Sequence, residues 1–446
     1  MAARHYLLIS DAAAPMVFGE APLGVMGLAR ALVASGSPAT VLCLAAPDVA
    51  AHVPGLARRL RTVNVNMLDG ARELALFDGK APLSQAQLIA VGAEGRNRGE
   101  SAALLAGAAR ALVNDGLLRA DVAVAWGETA ALSLSLVPAV ARLFVVPSGR
   151  VGGELSAAEI ALVESAGTAT APVDTRSLAA LGAAFANAIV TPSASAARLL
   201  ENDPTFAERA SDEPFVAVRF GCDDPPNDPA TDPALPANFS PKGLAGKLEC
   251  RRAVTRRYSL ALGARTLLLG CAQLRRDKGG QELLAALDAL SELDVVVLFP
   301  GDGDADLVER ARRLAVQSPG RLALLDRGDG QERILRAAAD AILCADMDDR
   351  TGRAAGLAQR YGALPIVFDT SAARDHLVDY DLASATGSAI LFGSLEGHEL
   401  AGAVRRALAL RSSADGFTPL VQRLMETAPR WSQTAAAVEE IAAAFV

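Results

Sequence analysis

The sequence predicts an α/β protein with two domains, each built on a Rossmann-like sheet. The chain has 446 residues, 51% of them hydrophobic, so it is too long for one ordinary core and carries enough apolar material for two. A strand, a polar loop, a helix and a second strand are indicated in residues 6–44, and a similar order recurs in residues 341–367. Units of this kind pair their strands in parallel, which predicts a Rossmann-like sheet in each half.

The charge balance argues against a nucleic-acid-binding protein. Lys and Arg number 43 against 51 Asp and Glu, which gives a net charge of −8, and aromatic residues make up only 4% of the chain. Nucleic acids are bound through clustered cations and through aromatic rings that stack on bases. We therefore expect no nucleic acid among the partners.

The cysteines and the first residues favour a cytoplasmic protein. Five cysteines stand at positions 43, 222, 250, 271 and 344 without a CxxC pair, so buried reduced thiols are expected rather than a zinc site or disulfides. The apolar run at residues 6–9 is too short for a signal peptide or a membrane span. Heavy use of Ala and Arg is typical of a bacterial chain, and no cofactor is expected.

In the first half, short apolar runs indicate strands and helical spacing indicates helices. The predicted strands lie at residues 6–9, 40–44, 121–125 and 144–146. Residues 11–22 contain two prolines and Gly19, which predicts a loop, and apolar residues then recur at helical spacing from residue 23 to Ser35. Residues 50–120 have Ala-rich stretches that we expect to be helical, with a polar loop at residues 96–100.

The second half continues the alternation of helices and strands. Residues 211–242 are rich in Pro and Asp, which predicts an irregular connection. Strands are predicted at residues 266–269, 295–300, 341–344 and 364–367, and helices at residues 247–258, 400–410 and 435–445.

Residues 341–367 are expected to form a binding site for an anion. The strand at residues 341–344 runs into an acidic turn with Asp346, Asp348 and Asp349, and Gly352 then precedes a helix. The free N–H groups and the dipole at a helix start both favour a negative group. Many nucleotide-binding folds share this arrangement, so the order of the residues is the more specific signal.

That order resembles the bacterial glycogen and starch synthases. Residues 361–367, Tyr-Gly-Ala-Leu-Pro-Ile-Val, are similar to the end of the family's donor-site segment, which begins Ser-Arg-Phe-Glu-Pro-Cys-Gly and ends Tyr-Gly-Thr-Leu-Pro-Ile-Val. Residues 227–233, Asn-Asp-Pro-Ala-Thr-Asp-Pro, are similar to the family's Trp-Asn-Pro-Ala-Thr-Asp-Pro. Residues 235–240, Leu-Pro-Ala-Asn-Phe-Ser, are similar to Leu-Pro-Ala-Asn-Tyr-Ser. The chain is identified as a divergent member of this family.

The resemblance implies the GT-B fold, in which two Rossmann-like domains face each other across a cleft. It implies a first domain in residues 1–241 and a second in residues 242–425. Residues 426–446 would form a C-terminal helix that packs back on the first domain.

Some donor-site positions of the family are retained. A gapless count sets Asp349 on the family's glutamate and Gly352 on its glycine, while Lys278 and Thr370 match further positions of the donor site. These four residues are the candidate nucleotide-sugar contacts. The Asp346-Met347-Asp348 sequence looks like the Asp-x-Asp of metal-dependent glycosyltransferases, but in this place a solvated acidic turn without a metal is expected.

Other positions that matter for transfer are replaced. Phe18 lies where the similar family has a lysine, and Gly127 lies where it has an aspartate. Pro147 replaces a histidine and Gln273 replaces an arginine. A register shifted by two residues would keep Trp126 on the family's tryptophan, but the histidines are absent in either register. Arg275 or Arg276 could replace the arginine only from a shifted position.

Two interpretations follow from these replacements. The first is an inactive or strongly attenuated GT-B protein that binds a protein partner, a second copy, a glucan or a nucleotide as a scaffold or regulatory subunit. The alternative is an active glycosyltransferase that moves a hexose from an ADP- or UDP-sugar to a glucan or another acceptor. It would use Lys278, Asp349 and the N–H groups near Gly352. Filling of the site by Phe18 and Trp126 would favour the first interpretation.

Overall fold

The computed structural model divides the chain into two compact units. It describes residues 3–10, 23–46, 55–80, 86–93, 95, 97–167, 176–207, 214–271, 274–328, 330–413 and 416–445. The first unit comprises residues 1–221 and 430–446, and the second comprises residues 222–429. Residues 222–241, which the family resemblance places in the first domain, belong to the second unit.

The helices are distributed over both units. In chain order the described helices are α1 (Leu23–Ala34), α2 (Arg98–Asn114), α3 (Glu128–Ala131), α4 (Ser133–Leu136), α5 (Ala157–Ser165), α6 (Leu178–Phe185), α7 (Ala194–Glu201), α8 (Ala245–Arg257), α9 (Gly280–Ala286), α10 (Ala305–Gln317), α11 (Gln331–Ala338), α12 (Arg353–Arg360), α13 (Ser371–His376), α14 (Gly397–Ser412), α15 (Phe417–Thr427) and α16 (Trp431–Ala443). Among the residues described, no helix is both long and apolar enough to cross a membrane.

The first unit is built on a nine-stranded sheet. Its strands are β1 (Tyr6–Ser10), β2 (Ala39–Ala45), β3 (Ala57–Met67), β4 (Gly70–Lys80), β5 (Gln87–Gly92), β6 (Val122–Trp126), β7 (Ala141–Val145), β8 (Ala188–Thr191) and β9 (Phe215–Ala217). Their order across the sheet is β3-β4-β5-β2-β1-β6-β7-β8-β9. All neighbours are parallel except β3 with β4 and β4 with β5, which are antiparallel.

Residues 57–92 correct the expectation of helix between residues 50 and 120. They form β3, β4 and β5, and along β3 the buried side chains of Val63, Val65 and Met67 alternate with exposed ones. This period of two is the strand period, and the Ala and Arg content concealed it. Arg98 and Glu100, expected in a loop, lie in the first turn of α2, whose N-cap Asn97 accepts a hydrogen bond from the Glu100 N–H at 2.9 Å.

Apolar side chains cover both faces of the central parallel strands of the first sheet. Leu7 and Ile9 of β1 belong to the cluster that includes α2, whereas Tyr6 and Leu8 belong to the cluster that includes α1 and α16. Burial on both faces explains why the parallel strands are continuous apolar runs and why the sequence predicts them well.

The second unit contains a six-stranded parallel sheet. Its strands are β10 (Leu267–Cys271), β11 (Val295–Phe299), β12 (Leu322–Leu324), β13 (Ala341–Cys344), β14 (Leu364–Phe368) and β15 (Ile390–Phe392). They lie in the order β12-β11-β10-β13-β14-β15. The chain starts the sheet at β10, builds outward through β11 and β12, and then returns to place β13 on the other side of β10. The reversal puts a topological switch point between β10 and β13.

Candidate functional site

The switch point of the second sheet brings the predicted anion-binding residues together. In open parallel sheets, ligands bind outside the carboxyl ends of the strands where the strand order reverses. The loop after β10 carries Lys278, and the loop after β13 carries Asp346, Asp349 and Gly352. Because β10 and β13 are paired neighbours, with Cys271 opposite Leu343, the two loops leave the sheet side by side.

A glycine lets these two loops approach closely. Gly279 has a φ of +72°, and a Cβ built on it would lie 2.5 Å from the carbonyl oxygen of Ala345. Any other residue would therefore combine backbone strain with a steric clash. The contact fixes Lys278, the residue before Gly279, against the beginning of the acidic turn.

Lys278 forms an ion pair with the acidic turn. Its Nζ lies 2.6 Å from Oδ2 of Asp346, and Oδ1 of the same carboxylate accepts a hydrogen bond from the Asp348 N–H at 3.0 Å. The Asp346 side chain is only 14% exposed, whereas that of Lys278 is 45% exposed. The acidic turn was expected to be solvated, but its first carboxylate is mostly buried and bound at both oxygens.

The two neighbouring arginines also bind carboxylates of the chain. Arg275 donates from Nε to Asp277 at 2.9 Å, and Arg276 donates from Nη1 to Asp306 at 2.9 Å. The hydrogen bond from Arg276 holds the pKa of Asp306 below its usual range. The hypothesis that Arg275 or Arg276 takes over from the arginine of the similar family stays a prediction.

Asp349 binds the backbone at the start of α12. Its Oδ1 accepts hydrogen bonds from the N–H of Thr351 at 2.8 Å and the N–H of Gly352 at 3.1 Å. The Thr351 hydroxyl also donates to it at 2.8 Å and in turn accepts from the Arg353 N–H at 3.1 Å. The N–H groups of Thr351 and Gly352, in the turn just before α12, are therefore bound within the chain.

Gly352 and Thr370 have structural tasks at helix starts. Gly352 caps α12 with a φ of +62°, and a Cβ on it would lie 2.7 Å from Cδ2 of His376. Thr370 caps α13, since its hydroxyl accepts a hydrogen bond from the Ala373 N–H at 2.9 Å. Both residues are suited to these turns whether or not a ligand is bound.

Aromatic side chains pack at the corresponding place in the first unit. β1 and β6 flank the switch point of that sheet, and Trp126 at the end of β6 pairs with Ser10 at the end of β1. Trp126 is only 7% exposed, with its ring centroid 5.2 Å from that of Phe220 and 6.2 Å from that of Trp431. A Cβ on Gly24 of α1 would lie 2.7 Å from its indole. Apolar side chains are therefore packed closely around the carboxyl end of β6.

The other replaced positions of the first unit carry no titratable side chain. Gly127 has a φ of +88° and donates its N–H to the Val145 carbonyl at 2.9 Å, and Pro147 is half-buried just after β7. Next to them, the Glu128 carboxylate accepts from the Gly152 N–H and lies 3.8 Å from Arg98. No residue pattern in the sequence indicates these contacts of Glu128 with the loop after β7. Phe18 and Gln273 lie outside the described residues.

The loop that carries the most family-like sequence is held to α12. Asp232 is fully buried and accepts hydrogen bonds from the Tyr361 hydroxyl at 2.8 Å and from Nε of Arg333 at 3.0 Å. Two further acids of the loop pair with the two ends of the helix, Asp224 with Arg353 at 3.0 Å and Asp228 with Arg360 at 3.1 Å. The matched motifs of residues 227–240 and 361–367 therefore contact each other.

In the part of the chain that the structure describes, no group of three or more His, Cys, Asp or Glu side chains could hold a metal ion. All five cysteines are buried and free. Burial raises the pKa of the Cys222 and Cys344 thiols to about 12, so they are not nucleophiles at neutral pH.

Sequence comparison links the chain to glycogen synthases. The glycogen synthase of Anaeromyxobacter dehalogenans is 32% identical over 269 residues, which cover 58% of this chain and 56% of that protein. The glycogen synthase of Lacticaseibacillus casei is 30% identical over 264 residues, covering 57% and 55%. The matches thus span little more than half the length of these relatives. No protein-family model matches the chain.

Structure comparison shows the fold of the whole chain. The catalytic domain of starch synthase IV from Arabidopsis thaliana, bound to ADP and acarbose, superposes with a TM-score of 0.82 at 18% identity over 99% of each chain. Anabaena HepE in complex with UDP superposes with a TM-score of 0.60 at 13% identity over 99% of this chain and 100% of that one. The architecture is therefore the GT-B fold that the sequence resemblance implied.

Proposed function

The chain is a glycogen- and starch-synthase-like protein with the GT-B fold, and from this premise we propose that it works without transferring sugar, as a binding, scaffold or regulatory subunit. Its ligand would be a protein partner, a second copy, a glucan or a nucleotide. The five free, buried thiols support a reducing compartment, and the bacterial cytoplasm is the location that we propose.

The observation that carries this proposal is the occupation of the anion site by the chain's own carboxylates. Lys278 is bound by Asp346, and the N–H groups of Thr351 and Gly352 just before α12 are bound by Asp349. Transfer from a nucleotide-sugar releases a diphosphate whose growing charge must be met by cations and N–H groups already in place. Loss of one such group typically slows an enzyme by a factor of about 100 to 1000.

The first unit supports the same conclusion. Acid–base or electrostatic assistance to a reacting sugar requires a side chain that can carry charge or a proton. Gly127, Pro147 and the buried indole of Trp126 supply neither at the carboxyl ends of β6 and β7, and the Glu128 carboxylate beside them is bound by the Gly152 N–H. The Trp126 indole is packed against Phe220 and Trp431 and belongs to the apolar cluster with α1.

An active transferase with a changed donor or acceptor is the second candidate. It is favoured by the grouping of Lys278, Asp349 and Gly352 at one switch point, and by the 45% exposure of the Lys278 side chain. The starch synthase and HepE structures contain ADP and UDP, respectively, which makes these nucleotides the appropriate probes.

Calorimetric titration of the full chain with ADP, UDP and their glucose conjugates tests the proposal. We expect no binding heat up to about 1 mM nucleotide, since the cation and N–H groups must first leave their internal partners. We also expect no release of nucleoside diphosphate from either sugar conjugate in the presence of glycogen.

The opposite result would establish the alternative. Micromolar binding that is lost in Lys278→Ala, together with incorporation of labelled glucose into glycogen, would overturn the inactive-subunit proposal. Binding of glycogen in a co-sedimentation assay without incorporation would support it and would identify a glucan as the ligand.

A further inference from the structure

We propose that Asp346 prevents a nucleoside diphosphate from binding at the anion site of this chain, because it competes with the diphosphate for Lys278. This inference deepens the proposed function, because it assigns the loss of donor binding to one carboxylate rather than to general decay of the site. The expected ligand of the released site is a diphosphate, for which ADP and inorganic pyrophosphate are the probes.

The geometry makes Asp346 a fixed competitor for Lys278. Its Oδ2 lies 2.6 Å from Nζ, and its Oδ1 is held by the Asp348 N–H at 3.0 Å. The carboxylate is therefore oriented before any ligand arrives and needs no rearrangement to bind the ammonium. A phosphate oxygen that reached Nζ would lie within a few ångströms of this negative charge and would be repelled.

The ion pair is positioned by the fold rather than by flexible side chains alone. The close approach of Gly279 to Ala345 fixes the two loops, and the pairing of β10 with β13 fixes the strands that carry them. The Asp346 side chain is 14% exposed and that of Lys278 is 45% exposed, so water reaches the ammonium more than it reaches the carboxylate. The competitor is thus built into the switch point.

The other two acids of the turn do not compete for Lys278. Asp348 is 53% exposed and pairs with Arg350 at 3.0 Å. Asp349 binds backbone N–H groups of Thr351 and Gly352. By the gapless count that sets Asp349 on the glutamate of the similar glycogen synthase segment, Asp346 stands where that segment has serine, a neutral residue.

Asp346→Asn is the variant that tests the inference. Asparagine has the same shape, and its side-chain oxygen can still accept from the Asp348 N–H, so the turn is preserved while the charge is removed. We expect ADP and pyrophosphate affinity to rise by about tenfold to a hundredfold over the unmodified protein, with the gain reduced at high salt. Asp348→Asn removes the same charge two residues away and should leave the affinity unchanged.

The double variant Asp346→Asn/Lys278→Ala should lose the gain, because the released cation is the proposed contact. The inference is overturned if Asp346→Asn binds no more tightly than the unmodified protein at equal thermal stability, or if Asp348→Asn gains as much. Circular dichroism melting of each variant checks that the fold is intact. Sugar transfer by the unmodified protein would refute the proposed function, whereas absence of a gain in Asp346→Asn refutes only the role of Asp346.

Discussion

Replacing Lys247 by methionine is expected to lower the free energy of unfolding by about 2–4 kcal/mol. Lys247 is buried in α8, and its Nζ donates to the carbonyl oxygens of Ala337 at 3.1 Å, Ala339 at 2.9 Å and Tyr361 at 2.9 Å. These carbonyls end α11 and α12, so one ammonium caps two helices. Methionine keeps the length of the side chain but leaves buried acceptors without a donor. Urea denaturation followed by circular dichroism measures the loss.

Lys242→Met is the matched control, since Lys242 lies on the surface close to the beginning of α8. Its replacement should change the unfolding free energy by less than about 0.5 kcal/mol. Equal effects of the two substitutions would contradict the capping role of Lys247.

The same lysine predicts a pH dependence of stability. Burial lowers the pKa of Lys247 from 10.5 to about 8. Between these values the unfolded chain holds a proton that the folded chain has released, so the contribution of this group to the unfolding free energy rises with pH. The stability of the unmodified protein relative to Lys247→Met should therefore increase by up to about 1.4 kcal/mol per pH unit above pH 8. If the unfolding free energies of the two proteins changed with pH in the same way, the pKa of Lys247 would not be lowered in the folded chain.

The sequence predicted the parallel strands because each is a continuous apolar run buried on both faces. Residues 6–9, 295–300 and 341–344 are of this kind, and β1, β11 and β13 lie at those places. It failed for β3 and β4, where Arg and Ala interrupt the alternation and one face is open to solvent. Pairing of β3 with β4 decides their structure, and local propensity does not report that pairing.

The sequence predicted which residues belong to the candidate site, but it did not predict the contacts that they make. Lys278 and Asp349 were found from the family-like spacing, and the structure places their loops at one switch point. The Lys278–Asp346 pair was missed, because it depends on the pairing of β10 with β13, which are far apart in the sequence. Likewise, Trp126 gave a signal in the sequence, but its packing on Phe220 and Trp431 could not be read from residue spacing.

The family-like motifs and the donor-site chemistry are separable in this chain. Residues 227–240 and 361–367 are the parts most similar to glycogen synthases, and their best-buried polar contact is the one between Asp232 and Tyr361. This contact positions α12 rather than touching an anion. Similarity of these motifs therefore supports the fold assignment and does not indicate activity. The activity depends on Lys278 and the residues around it.

Replacing Asp232 by alanine is expected to destabilise the second unit by about 3–5 kcal/mol. The carboxylate is fully buried and accepts from the Tyr361 hydroxyl, from Nε of Arg333 and from the Ala234 N–H at 2.9 Å. Its removal leaves a mostly buried guanidinium without this counter-charge, and the loss of a buried partner costs far more than the loss of a surface pair. Denaturant unfolding of the variant, monitored by circular dichroism, gives the difference.

Asp228→Ala separates this burial effect from the mere loss of an acid in the loop. Asp228 pairs with Arg360 at 3.1 Å and accepts from the Ala230 N–H at 3.0 Å, but its side chain is 32% exposed, so water can replace part of these contacts. Its replacement should therefore cost less than that of Asp232, about 1–2 kcal/mol. If both variants lost equal stability, the loop would be held by its backbone and its packing, and the Asp232–Tyr361 contact would not explain the similarity of the two motifs. A large loss in Asp232→Ala alone, with nucleotide binding as weak as in the unmodified protein, would assign these motifs to the scaffold and not to the chemistry.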